Sequence, residues 1–174
     1  MAKPLKIFLT IGVCLTALIA VTILAGIRIN TTPSYPRGIY RMTNDSIEKG
    51  ALVIFCPPDT TVLRMARERG YIGAGFCPHG YGYMIKKIMA ATNDTVEFTG
   101  TGVLVNGKLL PNSIPIDTDT EGQPLPTVKA DITTLDDHTV LLMSDYNPKS
   151  FDARYFGLTD KSQIISAVHP LWTW

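Results

Sequence analysis

The sequence predicts a mainly β domain with one or two short helices, carried behind a single N-terminal transmembrane helix. Three observations point there. An uncharged apolar run of 21 residues, Ile7 to Ile27, lies near the start of the chain. Beyond it come short runs rich in β-branched residues, separated by turn chemistry of the Asn-Gly kind. The 14 glycines and 12 prolines suit strands and turns better than a helical bundle.

As a helix the apolar run rises about 30 Å, enough to cross a hydrocarbon core. A cleavable leader has an apolar centre of about 7–15 residues, so the run reads as an anchor, with a cleaved signal sequence or a buried soluble helix as the alternatives. Lys3 and Lys6 flank its start and Arg28 its end. The positive-inside rule therefore puts the N-terminus in the cytoplasm and residues from about 28 onward outside. The expected organisation is a tip and anchor over residues 1–27 and an outer domain over residues 28–174.

Within the outer domain, Gly50 to Phe55 is a buried strand candidate ended by Pro57-Pro58. Asp59 to Arg69 reads as a short helix, capped by Asp59 or Thr60, stopped by Gly70, with Val62, Leu63 and Ala66 on its apolar face. Gly70 to Gly82 reads as loop. Strands follow at Tyr83 to Met89 and Thr95 to Phe98. Val103 to Leu110 is a hairpin, because Asn106-Gly107 supplies the positive φ angles of a type I′ turn. Residues 111 to 129 form a polar surface excursion. Thr139 to Met143 and Ile164 to Val168 are the last strands.

Composition excludes several classes. Charged residues are 18% of the chain and hydrophobic residues 45%, so it is neither disordered nor a highly charged nucleic-acid binder. Without Lys3 and Lys6, 14 basic residues face 15 acidic ones, and no basic stripe stands out. No P-loop or dinucleotide fingerprint is present, so no cofactor is expected. His79, His138 and His169 do not fall at ligand spacing near the cysteines, so no metal site is expected. In an oxidising compartment Cys56 and Cys77 could pair and staple the 57–80 helix–loop insertion; two free thiols are the alternative.

The chemistry-bearing candidates are a serine and two lysines. Ser34 stands between Pro33 and Pro36, where it is either a turn residue or a nucleophile held near the membrane surface. No Ser-His-Asp arrangement is persuasive, but a neutral lysine can serve a serine as base. An ordinary lysine titrates near 10.4 and a useful base near 7–8, and burial in an apolar setting can supply that shift. Met84-Ile85-Lys86-Lys87-Ile88-Met89 is such a setting. Strand alternation turns one of Lys86 and Lys87 inward and the other to water, and alternation alone does not say which.

Four blocks, in order, carry a resemblance: Ser34-Tyr35-Pro36-Arg37-Gly38-Ile39-Tyr40; Gly50 to Phe55; Ile85-Lys86-Lys87 through Val96; and Ser144-Asp145 through Ser150-Phe151-Asp152-Ala153-Arg154-Tyr155-Phe156-Gly157. The chain resembles type I signal peptidases, the membrane-anchored Ser–Lys serine proteases, and more closely the TraF-type peptidases of bacterial conjugation. The resemblance implies a signal-peptidase- and LexA-like fold of coiled β-sheets. It implies Ser34 as nucleophile, Lys86 as general base and Lys87 as its basic neighbour. Thr32 would add a hydroxyl to an oxyanion hole begun by the Ser34 N–H. Ser150 would orient the lysine, and Asp152 would be structural, paired with Arg154.

Where the family carries Pro-Gly the chain has Thr92-Asn93, where it carries Gly before Asp145 the chain has Ser144, and the methionine common after the nucleophile is absent. These departures point away from a housekeeping enzyme. The implied activity is endopeptidase processing of a secreted or membrane-inserted precursor with small residues before the cleaved bond. In the conjugative branch that precursor is a pilin, and ring closure can replace hydrolysis. The implied setting is the bacterial inner membrane, single pass, with the catalytic domain in the periplasm beside components of conjugation and type IV secretion, and no nucleic acid. Three rivals stand beside it: a general type I signal peptidase, a self-cleaving repressor-type protease, and a non-catalytic anchored assembly protein of a secretion or pilus apparatus.

Overall fold

A computed structural model describes residues 2–174, with side chains from residue 6 onward, so the expected cationic flank at Lys3 lies outside the described side chains. Helix α1 spans Ala2–Leu24. Its Lys6–Leu24 portion has a mean hydropathy of 2.7 and is nowhere buried against the rest of the chain. It is thus a helix long and apolar enough to cross a membrane. The apolar run outlasts it: Gly26 takes a positive φ of 72°, and Ile27 already belongs to a strand. Arg28 donates to the carbonyls of Ile23 and Ile27, placing a cation at the C-terminal end of the helix, where it complements the helix dipole.

The remainder is mainly β, as expected. Its strands are β1 Ile27–Asn30, β2 Gly38–Thr43, β3 Leu52–Phe55, β4 Met84–Ala90, β5 Thr95–Thr99, β6 Gly102–Val105, β7 Lys108–Leu109, β8 Ile132–Thr134, β9 Thr139–Met143, β10 Thr159–Asp160 and β11 Ile164–Thr173. Two sheets form, in the orders β1-β2-β11-β3-β4-β9-β10 and β7-β6-β5-β8. Every pairing is antiparallel. Asn106 and Gly107 both have positive φ, so the β6–β7 hairpin turns as its dipeptide demands.

Helix α2 spans Thr61–Glu68 and is capped by the Thr60 hydroxyl, with Leu63 and Ala66 buried. It sits in the insertion before β4, and a Cys56–Cys77 disulfide closes that insertion across 21 residues. A second helix, α3 Ala153–Phe156, fits the expected one or two, at a place the sequence reading leaves unassigned. Strand β2 is likewise unassigned in that reading. Gly38 permits that strand: any Cβ there would overlap the Trp172 carbonyl of β11. Residues 111–129 contain no helix and only an isolated Thr118–Pro124 bridge, in keeping with a polar excursion.

The core has two main parts. Val53, Phe55, Leu63, Ile88, Leu142 and Phe151 lie in the one between the larger sheet and the insertion. Val96, Phe98, Val103, Leu141 and Met143 lie in the one between the two sheets. Residues of β4 and β9 enter both clusters, so the central strands are fixed from two sides. Closing a loop of this length with a disulfide is worth about 3 kcal/mol. Replacing Cys56 and Cys77 together by serine should lower the unfolding free energy by about that amount in denaturant melts, with no effect on the length of α1 by circular dichroism.

Candidate active site

Three segments meet at one end of the larger sheet. The first is the seven-residue loop Thr31–Arg37, which joins β1 to β2 with Asn30 paired to Gly38 at its base. Asn30 is buried and its amide holds the loop. Its Nδ2 donates to the carbonyls of Tyr35 and Pro36, each at 3.1 Å. Its Oδ1 accepts from Thr32 N–H at 3.1 Å and from the Thr32 hydroxyl at 2.9 Å. The Tyr40 hydroxyl donates to the Pro36 carbonyl at 2.6 Å. The loop is therefore held by these five side-chain bonds besides its two prolines.

The second segment is the start of β4. Lys86 pairs with Val53 of β3, and its neighbour Lys87 with Leu52. Lys86 is the inward lysine, with 0% of its surface exposed. Its Nζ donates to Ser34 Oγ at 2.7 Å and to Ser150 Oγ at 2.7 Å, and the Ser150 hydroxyl lies 3.2 Å from Ser34 Oγ. Lys87 instead meets Asp145 at 2.7 Å on the half-exposed side. Asp145 also accepts from the Tyr35 phenol at 2.8 Å. Burial works to raise the Asp145 carboxyl, but the Lys87 and Tyr35 bonds outweigh it and hold the group below its ordinary range.

Burial removes the water that would stabilise a Lys86 ammonium and pushes its titration down to about 8. Asp152 acts to raise it and Arg154 to lower it. Among the described residues no carboxylate lies within ion-pair distance of Lys86. The sign of the linkage follows: a lysine depressed by folding makes the fold most stable above its unfolded value, and stability falls as pH drops from about 10.5 towards 8, where the buried ammonium forms. At pH 7 roughly one molecule in ten carries the neutral amine, and in it the Ser34 hydroxyl becomes the donor to Nζ.

The third segment runs from Ser144 to Arg154. Asp152 and Arg154 form a fully buried, two-pronged pair, Nε to Oδ1 at 2.8 Å and Nη2 to Oδ2 at 2.9 Å. Arg154 further donates to the carbonyls of Ser150 and Asn112, and Asp152 caps α3 and accepts from Ser144 N–H. This pair shapes the loop that carries Ser150. Ser144 and Asn147 reach the Ser34 loop directly: the Ser144 hydroxyl donates to the Ser34 carbonyl at 2.6 Å and Asn147 Nδ2 to the Pro33 carbonyl at 3.0 Å.

A cleft of about 450 Å³ opens over these groups, walled by Thr31–Ser34, Gly70–Gly73, Tyr83–Lys86 and Lys149–Phe151. The β9 ladder reaches β4 only from Lys87 onward, so Met84 to Lys86 have no strand partner on that side. An extended peptide could pair there by main-chain bonds.

The structure thus brings Ser34, Lys86 and Ser150 into contact. It pairs Asp152 with Arg154 behind them. Thr32 lies in the same loop, but its hydroxyl proton goes to Asn30, so it reaches an oxyanion only by rotating away from that bond. Asn30, Tyr35, Asp145 and Asn147 carry no role in the sequence reading. They are single polar or aromatic residues in turns, and only their placement beside the two prolines and the lysine pair hints at work to do.

A model of the signal peptidase family, peptidase S26, matches residues 2–173, and the chain belongs to that family. Within it the chain is 52% identical over 151 residues to the plasmid transfer protein TraF of Escherichia coli, covering 87% of this chain and 85% of the relative. It is 35% identical over 175 residues to a probable conjugal transfer protein TraF of Sinorhizobium fredii, covering 99% of this chain and 91% of that one. A crystal structure of a signal peptidase I from Enterococcus faecalis aligns with 72% of this chain and 98% of its own, at a TM-score of 0.39 and 13% identity.

Replacing Asp152 by alanine strands a fully buried guanidinium, a loss worth about 3–5 kcal/mol. Denaturant melts of Asp152→Ala should show that cost, and Asp152→Asn, which keeps one acceptor, should lose less.

Proposed function

We propose that the chain is a membrane-anchored serine endopeptidase in which Ser34 and Lys86 form a catalytic dyad, and that it matures a pilin precursor for plasmid transfer. The observation that carries the reading is the contact of a fully buried lysine amine with a serine hydroxyl at 2.7 Å, in a cleft beside an unpaired strand edge. Family membership supports peptidase chemistry, and the similarity to TraF proteins supports a role in conjugation.

The reaction is acyl transfer. Neutral Lys86 takes the Ser34 proton as Oγ bonds to the substrate carbonyl carbon. The Ser34 N–H, which meets no acceptor among the described residues, is free to stabilise the oxyanion. The Lys86 ammonium then returns the proton to the leaving amine. Water, or an amine of the pilin itself, releases the acyl group and regenerates Ser34. Ser150, bonded to both partners, keeps Nζ aimed at Oγ. In this reading α1 holds the catalytic domain at the periplasmic face of the inner membrane, with Lys6 on the cytoplasmic side, and only six residues separate Ile27 from Ser34.

The test is co-expression with a candidate pilin precursor and intact-mass measurement of the product. Wild-type enzyme should process the precursor. Ser34→Ala and Lys86→Ala, confirmed in the membrane fraction, should abolish processing. A product lighter than the linear chain by one water marks ring closure. Processing by Ser34→Ala at the wild-type level contradicts the reading and favours a non-catalytic assembly protein.

A further inference from the structure

We infer that Asn147, with Ser144, is a positioning residue that aims the oxyanion-stabilising N–H of Ser34; the inference rests on the dyad reading above. Ser34 is flanked by two peptide groups, and each is gripped by the same short segment. The carbonyl of the preceding group, Pro33, accepts from Asn147 Nδ2 at 3.0 Å. The carbonyl of the following group, Ser34, accepts from the Ser144 hydroxyl at 2.6 Å. The Pro33 carbonyl and the Ser34 N–H belong to one planar peptide unit. Among the described residues every peptide is trans, and in a trans peptide the two point in opposite directions, so whatever fixes the carbonyl fixes the N–H. A donor on the carbonyl also polarises the unit and strengthens the N–H as a donor.

The donor directions are set by the surrounding bonds. Asn147 Oδ1 accepts from Lys149 N–H at 2.9 Å, which leaves Nδ2 for Pro33. Ser144 Oγ accepts from Tyr146 N–H at 3.2 Å and Asn147 N–H at 3.0 Å, which leaves its proton for Ser34. Ser144 N–H in turn donates to Asp152, so the clamp is tied to the buried ion pair. Because the Thr32 hydroxyl is committed to Asn30, the Pro33–Ser34 peptide is the donor ready in the resting site. A hydroxyl at position 144, where a glycine would have none, is what allows the second prong.

The test uses the purified full chain in detergent with p-nitrophenyl butyrate as acylating probe, and Ser34→Ala as the blank. Acylation of Ser34 is followed by nitrophenolate release and intact mass. Asn147→Ala and Asn147→Asp, the latter keeping the acceptor for Lys149 but losing the donor, should lower the maximal acylation rate about 10- to 100-fold. The ester concentration giving half-maximal rate should stay at the wild-type value for both, and Asn147→Ala should keep the wild-type pH midpoint. A merely structural role would instead lower the melting temperature and leave the maximal rate of the folded fraction unchanged. Asn147 variants that acylate as fast as wild type overturn the inference. A wild-type rate no greater than that of Ser34→Ala overturns the dyad reading on which it stands.

Discussion

The site depends on keeping one lysine amine out of water without giving it a carboxylate. Lys86 is fully buried, yet its two contacts are hydroxyls, those of Ser34 and Ser150. A carboxylate in their place would stabilise the ammonium and make the lysine a poor base. The nearby Asp152 is committed to Arg154, whose charge opposes its pull. Lys87, one residue on and on the opposite face of the strand, takes the carboxylate instead. The alternation of a single strand thus sorts two adjacent lysines into a depressed amine and an ordinary ion pair.

That arrangement costs stability, and the rest of the fold is built to bear it. The two core clusters pin β4 from both sides, the disulfide closes the insertion beside it, and the Asp152–Arg154 pair fixes the segment that delivers Ser150. The Ser34 loop is treated likewise. Asn30, Ser144 and Asn147 bond the carbonyls of four successive residues, Pro33 to Pro36, and leave the Ser34 N–H without an acceptor and its Oγ turned to Lys86. The loop that carries Ser34 begins four residues after the start of β1, so the same short hairpin links α1 to the cleft.

Much of this was legible in the sequence. The long apolar N-terminal helix, the Asn106-Gly107 hairpin, the capped α2 and strand β9 all follow from periodicity and turn chemistry. Ser34, Lys86, Ser150 and the Asp152–Arg154 pair were legible through the order of the four blocks, whereas alternation alone left Lys86 and Lys87 equivalent. Other features were hidden for physical reasons. β2 overlaps a Pro- and Gly-bearing stretch, and its strand character comes from pairing with β11 rather than from local propensity. α3 is a single turn held by Asp152. Asn30, Ser144 and Asn147 act on backbone carbonyls, and a carbonyl has no identity in a sequence. The end of α1 at Leu24 was overrun because Ile27 is as apolar in a strand as in a lipid-facing helix.

The most direct test of the account is the titration of Lys86 itself. Lysine labelled with ¹³C at Cε, in the full chain in detergent, gives one resonance per lysine, and Lys86→Arg assigns the one in question. The account predicts a midpoint near 8 for Lys86, well below the reference value of about 10.4 for a free lysine side chain. A Lys86 midpoint at that reference value would mean that the buried amine is held as an ammonium throughout the working range, and the base assignment would fall with it.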